Sequence, residues 1–145
     1  TLAGRSGDDT LSGGAGDDLL LADSGTDSIN GEGDTDTLSF QFVNAAAAVN
    51  LENGVASSSL SGSDTVTQVE NVIGSSQGDL IFGANLVDNH LDGGSGADRL
   101  YGLNGEDTLE GGLGDDELYG GAANDTLDGG EGADTLEGND GDDSL

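Results

Sequence analysis

A chain of 145 residues suits a single domain. It carries 30 Asp and Glu against two Lys and Arg, a formal net charge of −28 at pH 7, and neither Arg5 nor Arg99 lies in a basic patch, which excludes direct binding of nucleic acid or an anionic membrane surface. With no Cys there is no disulfide framework and no thiolate zinc site, and no apolar run approaches membrane-spanning length.

Low hydrophobicity with so much charge describes a bare chain that cannot bury enough apolar surface to offset its conformational entropy. Yet the acids recur at a fixed period beside glycine, unlike a solvating acidic tail, so cations are the missing component. The opening TLAGRSG is not a signal peptide. The chain begins and stops within repeat-like sequence and is expected to be an excised piece of a longer protein.

Residues 4–39 form a first block of nine-residue units: GRSGDDTLS, GGAGDDLLL, ADSGTDSIN and GEGDTDTLS. Position six holds Asp9, Asp18, Asp27 and Asp36, and position eight holds Leu11, Leu20, Ile29 and Leu38. Ala22 and Asp23 replace the opening glycines of the third unit and Asp34 replaces a glycine of the fourth, so the turns there should be less regular.

The period is lost over 40–73, an expected irregular β insert or cap between the two blocks of one continuous domain. FQFVNAAAAVNLENGVA alternates partly and contains Asn53-Gly54, a tight-turn signal between two apolar segments. SSSLSGS (57–63) reads as a flexible loop, DTVTQVENVI (64–73) as strand, and helix over 44–49 is the weaker alternative. The apolar residues Phe40, Phe42, Val43, Val49, Leu51, Val66, Val69 and Val72 are expected to cover the open ends of two rolls.

The second block spans 74–145. GSSQGDLIF places Asp79 at position six, and ANLVDNHLD, after an extra Gly83, places Asn89 there. From Gly93 to Leu145 the period runs without a slip, with Asp98, Asp107, Asp116, Asp125, Asp134 and Asp143 at position six and a Leu at every position eight. Six residues of each unit should turn and three should form a strand, with position eight inward and its neighbours outward.

These units resemble the RTX nonapeptide, G-G-x-G-x-D-x-U-x, a calcium-binding repeat. The resemblance implies an all-β fold, a right-handed parallel β-roll with two units per coil and Ca²⁺ held between stacked turns by position-six carboxylates and backbone carbonyls. Calcium suits such sites because it accepts six to eight oxygens in flexible geometry, whereas zinc does not, His90 being the one imidazole. If residue i stacks on i+18, Asp79, Asp98, Asp116 and Asp134 line one side and Asn89, Asp107, Asp125 and Asp143 the other. Asp9 with Asp27 and Asp18 with Asp36 add further pairs. About eight candidate ions would offset roughly 16 of the 28 negative charges, the Asn89 site being weaker. The bland alternative is that these Asp side chains only hydrogen-bond to backbone.

The same stacking sets Arg99 beside Glu117, Thr108 beside Thr126 and Ser144, and Asp92 beside Glu110 and Asp128. It also aligns Phe82, Tyr101 and Tyr119 in an outward row, either a platform for sugar rings or a stabilising ladder. His90 and the position-five acids Asp17 and Asp115 read as surface residues. Paired acids recur without any distinct nucleophile or base, so the chain itself is not expected to be an enzyme. RTX-like modules are appended to secreted bacterial proteases, lipases, toxins, adhesins and mannuronan C5-epimerases, commonly exported by type I secretion. The resemblance therefore implies an extracellular module, linked covalently to a parent protein, that folds on calcium outside the cell. The alternatives are an alginate-type polysaccharide-binding module and an adhesin spacer.

Overall fold

A computed structural model describes residues 1–145, which form sixteen strands and no helix. The first block supplies β1 (Leu2–Ala3), β2 (Thr10–Gly14), β3 (Leu19–Leu21), β4 (Ser28–Glu32) and β5 (Thr37–Ser39). The middle of the chain supplies β6 (Ala47–Asn50), β7 (Val55–Ser58), β8 (Gly62–Thr67) and β9 (Asn71–Ile73). The second block supplies β10 (Leu80–Phe82), β11 (His90–Asp92), β12 (Arg99–Asn104), β13 (Thr108–Leu113), β14 (Glu117–Ala122), β15 (Thr126–Glu131) and β16 (Thr135–Asp140).

Successive strands of each block alternate between two sheets, so the chain winds as a parallel β-solenoid. One sheet has seven strands in the order β1-β3-β5-β9-β11-β13-β15, and the other nine in the order β16-β14-β12-β10-β6-β7-β8-β4-β2. Neighbours within the blocks are parallel and pair mostly at a separation of 18, as in Leu100 with Leu118 and Leu109 with Leu127. The extra Gly83 lengthens one coil, so Ile81 pairs with Leu100 at a separation of 19.

Most strands send one large apolar residue between the sheets. Leu11, Ile29, Val66, Val49, Ile81, Leu100 and Leu118 fill the nine-stranded side, and Leu20, Leu38, Val72, Leu91, Leu109 and Leu127 fill the other, all buried. Burying one such side chain contributes about 1.5–3 kcal/mol. A core one residue wide leaves little margin against chain entropy, which places the weight of stability on the turns.

Residues 40–73 do not cover the open ends of two rolls. They continue both sheets between the blocks, so one solenoid runs the length of the chain. Val49 pairs with Ile81, Val66 with Ile29, and Val72 with both Leu38 and Leu91. Phe40 and Val43 are buried beside them, whereas Phe42 is 77% exposed. The weaker helix reading over 44–49 gives way to β6, which meets β7 antiparallel around the Asn53-Gly54 turn. Asn50 Oδ1 accepts the Asn53 N–H there at 2.8 Å. Residues 57–63 are not a flexible loop: they are the paired ends of β7 and β8 joined by a second tight turn at 59–61. Ser58 Oγ accepts the N–H groups of Leu60 and Ser61, and its partner Ser61 is fully buried. The expected strand over 64–73 breaks at Gln68, where φ is 50°, into β8 and β9.

Candidate metal centre

Position six precedes each strand by one residue, so strand stacking brings its carboxylates into two files along the solenoid edges. In each file the backbone N–H of one coil donates to Oδ1 of the next. Asp98 N–H reaches Asp116 Oδ1 at 2.7 Å, Asp107 reaches Asp125 at 2.8 Å, Asp116 reaches Asp134 at 3.0 Å and Asp125 reaches Asp143 at 2.9 Å. The first block repeats this with Asp9 to Asp27 at 2.9 Å and Asp18 to Asp36 at 2.8 Å. Hydrogen bonding to backbone thus occurs, but it joins neighbouring coils instead of closing a single turn, and it occupies one carboxylate oxygen.

The second oxygen is left over. Eight carboxylate oxygens are buried with no hydrogen-bond partner: Oδ2 of Asp9, Asp36, Asp64, Asp98, Asp107, Asp116 and Asp125, and Oδ1 of Asp23. Glycine at position one makes the room for them. A Cβ at Gly111 would lie 2.5 Å from Asp116 Oδ2 and 2.6 Å from the Gly129 carbonyl oxygen, and one at Gly93 would lie 2.6 Å from Asp98 Oδ2 and 2.8 Å from the Gly111 carbonyl oxygen. Carboxylate and carbonyl oxygens therefore converge in a space that only glycine leaves open.

A buried anion without a partner is costly, and it resolves by protonation or by a cation. Burial pushes the Asp98 carboxyl up to about 7 and those of Asp64 and Asp107 up to about 6. It raises Asp79, Asp116 and Asp125 as well, with backbone hydrogen bonds partly opposing the rise. Hard, unpartnered, all-oxygen sites at the spacing of stacked turns fit calcium. His90 is no part of them, since its imidazole lies on the outer face 3.1 Å from Glu110 Oε1.

The family model of the RTX calcium-binding nonapeptide repeat, in four copies, matches residues 3–38, 84–118 and 110–145. The chain belongs to the RTX calcium-binding repeat family. Among curated proteins none matches it. This RTX chain is thus a calcium-binding module of the family's non-catalytic, structural kind, built as a parallel β-solenoid.

Two position-six residues of the RTX module differ from the rest. Asp79 accepts the Ala47 N–H at 2.7 Å, and both its oxygens are taken by Ser75, through the backbone N–H and the hydroxyl. Asn89 accepts the Ala84 N–H at 2.8 Å and donates through Nδ2 to the Glu70 carbonyl at 2.6 Å. At both places protein groups satisfy what elsewhere is left open. Asp134 and Asp143, at the last coil, are only half-buried, and Asp18 lies 3.4 Å from the N-terminal amine.

Three acids escaped the sequence reading. Asp64 Oδ1 accepts the Asp27 N–H at 2.9 Å, and Glu70 Oε2 accepts the Asp36 N–H at 2.9 Å, so both carry the files onward through the irregular segment. Asp64 sits in a worn repeat, with Gly62 at position four and Val66 at position eight, one residue out of frame. That G-S-D-T-V run was the available signal. Glu70 stands two residues before Val72 after a turn shortened to 68–70, where a longer side chain makes up the reach. Asp23 occupies a glycine position and joins Asp9 and Asp27.

Position five also works. Asp115 Oδ1 accepts the Ala133 N–H at 2.9 Å, Asp17 the Thr35 N–H at 3.1 Å and Asp88 the Glu106 N–H at 2.9 Å. These bonds run opposite in sense to those of position six, so Asp17 and Asp115 tie coils together rather than being idle surface acids.

The outward rows form as the register dictates. Arg99 makes a two-pronged pair with Glu117 at 2.9 and 3.1 Å. Phe82, Tyr101 and Tyr119 stack with centroids 4.6 and 4.9 Å apart and planes 9° apart. Both faces of Tyr101 are covered by its neighbours, which favours the ladder over a platform for sugars.

Proposed function

We propose that this RTX module is a calcium-folded structural segment of a larger secreted bacterial protein. Its Asp9, Asp18, Asp27, Asp36, Asp98, Asp107, Asp116, Asp125, Asp134 and Asp143 would be carboxylate ligands of several Ca²⁺ ions. The observation that carries the reading is the set of buried, unpartnered Oδ2 atoms repeated coil after coil. Stacked pairs are then Asp9 with Asp27, Asp18 with Asp36, Asp98 with Asp116, Asp107 with Asp125, Asp116 with Asp134 and Asp125 with Asp143. Asp79 and Asn89 are left out because Ser75, Ala84 and Glu70 already satisfy them. Six ions would offset about 12 of the 28 negative charges.

Extracellular calcium modules work at about 10⁻⁴–10⁻³ M, so the chain would stay unfolded at cytosolic calcium and fold after export. Folding outside the cell would let the module pass a secretion channel as an open chain and then stabilise or display its covalently linked parent. The test is an ion count by equilibrium dialysis on the wild-type chain and on Asp98→Asn and Asp107→Asn. Each variant is expected to hold fewer ions than wild type. Unchanged counts in both would remove these residues from the ligand set.

A further inference from the structure

We infer that Asp23 and Asp64 build, with Asp9 and Asp27, a divalent-cation site of a separate kind at the junction of the first block and the irregular segment, and that this site binds tightest of all. The inference rests on the reading of the roll as calcium-binding. Asp64 lies outside the segments that match the repeat family, and Asp23 stands where the repeat has glycine.

Three carboxylate oxygens, from Asp9, Asp23 and Asp27, lie within 4.8 Å of one another, which happens at no other place in the chain. A second observation is independent of that cluster. Asp64 is 1% exposed, its Oδ2 has no partner, and its Oδ1 holds the Asp27 N–H, so a buried, unsatisfied carboxylate faces the same turn from the next coil. Asp23 Oδ1 is likewise buried and unpartnered, while its Oδ2 accepts the Arg5 N–H.

The local backbone explains the convergence. Position two is left-handed in the neighbouring units, with φ of 83° at Arg5, 97° at Gly14 and 76° at Glu32, but not at Asp23. Ala22 carries a methyl group where the other units of the first block have a bare glycine beside the position-six oxygen. Asp27 keeps its Oδ1 on the Asp9 N–H as in the other stacked pairs, so the added member of the cluster is Asp23. Repeats elsewhere bring two carboxylates to a pair of stacked turns, whereas this junction brings three with a fourth behind them. Calcium affinity rises with the number of charged ligands.

The test withdraws calcium stepwise from the folded full chain with chelators of graded affinity, following ion content and the backbone amide resonances of Asp9 and Asp27. One ion is expected to remain after the others have left, held about tenfold or more tighter, and those two amides should be the last to shift. Asp23→Gly installs the repeat's own residue, and Asp23→Asn keeps an acceptor for the Arg5 N–H. Both should lose that last ion and keep the rest, and Asp64→Asn should weaken it. If both Asp23 variants retain the last ion, the inference fails while the calcium-folded roll stands. A wild-type chain that takes up no calcium overturns both.

Discussion

At the scale of the residue, position one and position six act as a pair. The glycine exists to leave space for a carboxylate oxygen that has no protein partner. Gly111→Ala is expected to push the Asp116 carboxylate off its place, weaken calcium binding in that turn and destabilise the folded chain by about 1–3 kcal/mol, measured by denaturant unfolding at saturating calcium. Gly7→Ala is a useful contrast, because a Cβ there meets nothing within 4 Å, leaving only backbone strain at φ 107°.

The position-six acids also fix the pH response. Burial raises Asp64, Asp98 and Asp107 above the ordinary carboxylate value, so between about 4 and 7 the folded metal-free chain binds more protons than the unfolded one. Stability from these groups is therefore complete below the unfolded value and lost as pH rises through about 6 to 7. Circular dichroism in EDTA should show more β structure at pH 5 than at pH 8. In calcium the order should reverse, because protons compete with the metal for the same oxygens.

The period made position six legible, since one residue type recurred at one spacing with glycine beside it. It did not reveal which oxygen the backbone would take, because that depends on the height of the neighbouring coil. Asn89 illustrates this limit. Its place in the file follows from the spacing, but its bond to the Glu70 carbonyl needs a shortened turn that no local pattern announces.

At the scale of the element, a three-residue repeat strand such as β3, β10 or β11 contributes one inward side chain between two outward ones. Leu109 is fully buried between Leu91 and Leu127, so Leu109→Ala should cost about 2–5 kcal/mol, read from the same unfolding curves. Tyr101 is the middle rung of the outer ladder, with a ring stacked on either side. Tyr101→Ser should cost roughly 1–3 kcal/mol as two stacking contacts are lost, with no change in retention on immobilised alginate. A drop in retention at intact fold would revive the sugar-binding reading.

The parallel register was foreseeable wherever units kept their length, and Arg99 meets Glu117 as the spacing requires. The place of 40–73 in the fold is not legible in the sequence, for a physical reason. Strand propensity and the Asn53-Gly54 turn are local and were readable, but the segment's place in the middle of both sheets depends on pairing across the whole chain. Val66 and Val72 lie only six residues apart, against nine in the repeats, so periodicity could not align them with Ile29 and Leu38.

At the scale of the whole molecule, a narrow core must hold together a chain of net charge −28. Hydrogen bonds from positions five and six tie each coil to the next in opposite senses, yet they leave a buried oxygen in most turns. Without cations the same contacts that define the roll concentrate repulsion within it. On the proposed reading those oxygens are the calcium ligands, and the free energy of binding would become free energy of folding. If each ion bridges neighbouring coils as proposed, folding should spread along the solenoid as a cooperative event.

The most direct measurement is far-UV circular dichroism during a calcium titration of the EDTA-stripped chain at pH 8, with magnesium as the control. A cooperative rise of β signal with calcium and none with magnesium is the predicted result, since magnesium demands a tighter octahedral shell and sheds its water reluctantly. A metal-free chain already fully folded at that pH, and indifferent to calcium, would contradict the account at its centre.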